Sequence, residues 1–90
     1  MENLDKEKIE QIVKTRKQAN AYFTKRSKVF RTFCELEDQT YEAGALSVKE
    51  KRLIAIGIAV AINCESCMEW SIKQALEHGA TAEEIVEAVD

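Results

Sequence analysis

Apolar residues recur along this chain at the 3.6-residue spacing of helices and not at the alternation of strands. Ile9, Val13, Arg16, Asn20 and Phe23 give a partly apolar stripe that Ile12, Ala19 and Tyr22 widen, predicting a first helix. A second stripe runs through Phe30, Phe33, Cys34, Leu36 and Tyr41 towards Gly44, a residue suited to ending a helix. Ser47 followed by Glu50 in "SVKE" has the form of a capping box and opens a third helix. That helix is apolar nearly all round from Leu53 to Ile62, with Gly57 and Ala59 where a neighbour can approach, so it belongs at the centre of a bundle or in a subunit interface. A fourth helix is expected from about Cys64 to His78, stopped by Gly79, with Met68, Ile72, Ala75 and Leu76 facing the core. Thr81 and Glu84 in "TAEE" form a second capping box, and the fifth helix they start is expected to bury Ile85, Val86 and Val89 up to Asp90.

Composition strengthens this all-α reading. The chain has no proline and three glycines, too few turn residues for a set of short strands to reverse on. Its 90 residues suffice for one modest core, so a single domain over 1–90 is expected, with "SK" and "AGA" as internal turns. Net charge is −3, unevenly spread: residues 1–33 hold nine Lys/Arg against four Asp/Glu, and residues 34–90 hold four against twelve. The basic positions lie among helix formers without a helix-turn-helix or zinc-finger spacing, so no nucleic-acid partner is expected, and the asymmetry suits packing or subunit contact better. The apolar run 53–62 is too short for a bilayer, which takes ~20 such residues, and no signal-peptide layout opens the chain. Three cysteines, an odd number, argue against a disulfide framework and for a reducing, cytoplasmic setting.

Two of those cysteines form "CESC", Cys64 and Cys67, directly after the apolar run. Residues three apart on a helix share a face and can be joined by a disulfide. At a helix N-terminus, free backbone N–H groups and the helix dipole favour a thiolate, which is the reactive form of cysteine. Zinc is the competing chemistry, but a closed site takes four ligands, and Cys34 and His78 are the other candidates, neither in a second tight pair. Two cysteines serving as small buried hydrophobes is the blander reading, against which the pairing counts. No metal and no cofactor are expected.

Residues 44–89, "GALSVKEKRLIAIGIAVAINCESCMEWSIKQALEHGATAEEIVEAV", resemble the core of the carboxymuconolactone decarboxylase superfamily, and in particular its branch similar to alkylhydroperoxidase D (AhpD). The landmarks come in order: "LS" opening a helix, a long apolar helix, CxxC, then "GAT-EEI-EA". The resemblance implies an AhpD-like helical bundle that oligomerises, commonly as a trimer or hexamer. It implies a cysteine pair that cycles between dithiol and disulfide, reducing a hydroperoxide or exchanging with a disulfide substrate and regenerated by a thiol reductant. By position, Cys67 matches the cysteine that attacks and Cys64 the one that resolves. Decarboxylases of the superfamily typically lack the pair, which favours redox chemistry over decarboxylation of a lactone acid.

The chain departs from that branch at two positions. A histidine four residues after the second cysteine and a glutamate twelve before the first are usual there, and this sequence has Ser71 and Arg52. Arg52 stays protonated and is a candidate for stabilising a thiolate; Ser71 is a candidate hydrogen-bond partner for the Cys67 sulfur. Loss of both proton-transfer groups gives a second reading, a non-catalytic oligomeric member. Glu65 and Glu69 are expected in solvent, His78 lies three turns from Cys67, Cys34 is expected in the core, and Trp70 in packing. Relatives usually continue past the last helix, so a C-terminally shortened form is also an expectation.

Overall fold

A computed structural model describes residues 3–90, and among them all regular structure is helical. The first two residues of the expected 1–90 domain lie outside the described part. The helices are α1 (Asn3–Arg26), α2 (Lys28–Thr40), α3 (Val48–Ala61), α4 (Glu65–Glu77) and α5 (Ala82–Val89). They form two compact units, one ending at Thr40 and the other running from Tyr41 to Asp90.

In the first unit, α1 and α2 meet around Ser27. Its N–H bonds to Phe23 O at 2.8 Å, and its hydroxyl accepts from the Phe30 N–H at 3.0 Å, capping α2. Arg31 Nη1 donates to Thr24 O at 2.7 Å across the turn, and the Phe23 and Phe30 rings lie 5.7 Å apart. α2 ends at Thr40, four residues before the expected stop at Gly44, and holds no fully buried residue. Cys34 is accordingly half-buried and unbridged, not a core residue as expected.

The second unit is built on α3, which packs against both α4 and α5. Both capping boxes form: Ser47 Oγ accepts from Glu50 N–H while Glu50 Oε1 accepts from Ser47 N–H at 2.9 Å, and Thr81 and Glu84 repeat the exchange. The Ser47 backbone N–H, then its hydroxyl, holds the Glu50 carboxyl below the usual range; the Thr81 N–H, then Lys49, does the same for Glu84. Lys49 Nζ meets Glu84 Oε2 at 3.0 Å, tying the start of α3 to the start of α5. The buried cluster is small: Ile56, Ala75 and Ala80, with Leu53, Ile72, Ile85 and Ala88 packed on it. A Cβ on Gly57 would lie 3.4 Å from Ala88 O, so this glycine is where α5 comes close to α3, as its place in the apolar run suggested. Leu76, Val86 and Val89, expected inside, are 53%, 58% and 44% exposed, because no element of the unit covers their side of α4 and α5.

Candidate functional site

The cysteine pair sits where α3 hands over to α4, and backbone hydrogen bonds fix that junction. Cys64 N–H reaches back to Ala59 O at 2.9 Å and Asn63 N–H to Val60 O at 3.1 Å, the paired bonds of a Schellman ending. Asn63 takes the left-handed conformation this ending requires, with φ 55°. An asparagine placed between the apolar run and the CxxC is the sequence signal for that turn, since Asn tolerates left-handed backbone better than most residues. The same ending recurs at the other end of α4. There Gly79 has φ 91°, and Ala80 N–H bonds to Ala75 O at 2.9 Å, which seats Ala80 in the core.

Cys64 is thus the last residue of one turn and the N-cap of the next helix, which begins at Glu65 and not at Cys64 itself. Its Sγ takes the capping role usually given to a side-chain oxygen, accepting from Cys67 N–H at 3.3 Å, with the Ser66 hydroxyl 3.7 Å away. Cys64 and Cys67 are joined in a disulfide, Cα to Cα 5.2 Å. Cys64 is half-buried and Cys67 exposed, so the two sulfurs differ in access and in stabilisation. The outer sulfur is open to an attacking group, and the inner one has a backbone donor and the N-terminal end of a helix dipole to receive negative charge.

Arg52 and Ser71 are the buried polar side chains of the described residues, at 9% and 6% exposure. Arg52 shares the stripe of α3 that carries Ile56 and Ala59, and its guanidinium lies 3.5 Å from the centre of the Tyr41 ring. Its Nε has no hydrogen-bond partner. The sulfur contacts run from Cys67 N–H and Ser66 to Cys64, and none joins Ser71 or Arg52 to the pair among the described residues. Glu65 is exposed as expected, whereas Glu69 and Trp70 are half-buried, with Lys73 Nζ 5.9 Å from the Trp70 ring centre. His78 is exposed at the far end of α4, where its Nδ1–H donates to Gln74 O at 2.8 Å. No group of three or more His, Cys, Asp or Glu side chains converges as a metal site among the described residues, and no described helix is long and apolar enough to cross a membrane.

Solved structures of similar fold are found. An apo-form carboxymuconolactone decarboxylase family protein from Legionella pneumophila is similar at a TM-score of 0.82 and 30% identity, over 90% of this chain and 73% of that one. A family protein from Thermotoga maritima, for which a part in the antioxidative response is suggested, is similar at 0.76 and 28%, over 89% and 68%. In sequence, uncharacterised protein 4 of the cox locus of Paracoccus denitrificans is 39% identical over 57 residues, 63% of this chain and 51% of that protein. An uncharacterised Cupriavidus necator protein is 39% identical over 46 residues, 51% of this chain and 41% of that one. The chain therefore spans about half the length of these relatives or less. The family model of the carboxymuconolactone decarboxylases matches residues 27–90, from the Ser27 turn through the whole of the cysteine-bearing unit, and the chain belongs to that family.

Proposed function

We propose that Cys64 and Cys67 are a reversible dithiol–disulfide centre, and that the chain acts as a thiol–disulfide oxidoreductase of the AhpD-like branch. The observation that carries this reading is the disulfide at the N-cap of α4, with one sulfur exposed and the other served by a backbone N–H. A thiolate from a partner attacks the exposed Cys67 Sγ; the Cys64–Cys67 bond breaks and Cys64 leaves as a thiolate. Stabilising the leaving thiolate speeds exchange. A second thiolate from the partner then attacks the mixed disulfide at its own sulfur, releasing Cys67 and leaving the partner oxidised and the pair reduced. The reverse sequence oxidises the pair. Neither direction calls for the proton relay that Ser71 and Arg52 fail to supply.

Peroxide reduction is the second reading, favoured by the antioxidative role suggested for the Thermotoga relative. Here the Cys67 thiolate attacks the peroxide, the O–O bond breaks and a sulfenic acid forms with release of water or alcohol. Cys64 then attacks the Cys67 sulfur, expelling water and closing the disulfide. The departing oxygen takes a proton, and general acid help at that step is typically worth ~10²- to 10⁴-fold, so this rate is expected to be low. Stopped-flow loss of free thiols in the reduced protein, against hydrogen peroxide and against a small disulfide, separates the two. Faster reaction with the disulfide supports the oxidoreductase; faster reaction with peroxide moves the assignment to peroxidase, and inertness to both leaves a non-catalytic scaffold.

A further inference from the structure

Arg52 presents a buried positive charge with an unmet hydrogen-bonding need. It is 9% exposed, its Nε–H has no acceptor, and the Tyr41 ring covers one face of its guanidinium at 3.5 Å. Ring stacking attracts the cation but supplies no acceptor in the guanidinium plane, where its N–H groups point. A buried charge of this kind is costly unless it is both paired and hydrogen-bonded. The one carboxylate of α3, Glu50, is committed to the Ser47 N–H, and Glu84 of α5 to the Thr81 N–H and Lys49.

We propose that the Arg52 guanidinium, backed by Tyr41, is a binding site for one carboxylate supplied from outside the chain. The planar fork of a guanidinium matches the two oxygens of a carboxylate. One negative charge also balances the one positive charge. A phosphate monoester, at about −1.5 to −2 near neutral pH, would leave excess charge in a buried place. Two sources share this chemistry: a small carboxylate ligand, or an acidic side chain from a second copy, whose residues 41–90 hold nine Asp/Glu against four Lys/Arg. The site does not depend on whether the cysteines cycle.

The test is NMR of the intact, ¹⁵N-labelled chain, reading the Arg52 Nε–Hε resonance assigned by correlation to its own backbone, so that no variant has to fold. Sodium acetate is titrated against sodium chloride at equal ionic strength, and the protein is separately diluted without added carboxylate. A saturable downfield shift with acetate that chloride does not match supports the site and a free ligand. A resonance that starts downfield and moves upfield on dilution supports the site with a second copy as donor. A resonance that moves in neither series, or equally with chloride, overturns the proposal.

Discussion

At the scale of single residues, the two cysteines are chemically unequal although three positions apart. Cys67 is exposed, whereas Cys64 is half-buried and held from both sides, by Ala59 O on its N–H and by Cys67 N–H on its sulfur. Cys64→Ser is therefore expected to leave Cys67 able to form a mixed disulfide that no second sulfur resolves, so an adduct accumulates that mass spectrometry maps to Cys67. Cys67→Ser is expected to form its adduct more slowly, at the less accessible sulfur. Equal rates for the two variants would contradict the assigned roles. Asn63 sets the angle at which the pair is presented. Asn63→Ala is expected to lower stability by about 1 kcal/mol in denaturant unfolding, from the strain of left-handed backbone, while Asn63→Gly keeps or raises it.

At the scale of elements, what the sequence made legible was what short-range chemistry decides. The serine and threonine caps with glutamate three residues on, and Gly79 after α4, each act within one turn, and all three form where expected. Asn63 carries an equally local signal, since asparagine tolerates the left-handed backbone that the turn before the cysteines requires. The failures have another origin. Leu76, Val86, Val89 and Cys34 lie at helical spacing, but burial depends on whether another element covers them, which periodicity does not state. The site was legible as a pair and not as a constellation: Cys64 and Cys67 come together, while Arg52 turns to Tyr41.

The caps also give a pH dependence. Glu50 and Glu84 have lowered folded-state pKa values, so their contribution to stability is full above the ordinary glutamate value of ~4.3. It declines as pH falls below that value and through the lowered folded-state pKa. Thermal midpoints measured from pH 7 downwards are expected to drop across this window, and less steeply in the Glu50→Gln, Glu84→Gln double variant. An identical slope in the variant would show that the caps do not carry the effect.

At the scale of the whole molecule, the most apolar helix keeps an uncovered stripe. Ile54, Ile58 and Ile62, one turn apart in succession, are 52%, 56% and 66% exposed, and we propose this stripe as the contact if the chain assembles with further copies. Ile58→Glu is expected to lower the mass found by light scattering while leaving helix content unchanged, because a surface change in a lone chain usually costs within ~0.5 kcal/mol. A mass equal to that of the natural sequence would place any contact elsewhere.

The proposed chemistry requires the Cys64–Cys67 bond to be reversible. Its most direct test is equilibration in buffers of graded reduced and oxidised dithiothreitol, followed by alkylation and peptide mass mapping. Cys64 and Cys67 are expected to become alkylated together, in one two-electron transition, with Cys34 alkylated throughout. Alkylation of Cys64 and Cys67 at every potential, or a bond that stays closed in fully reducing buffer, would contradict it.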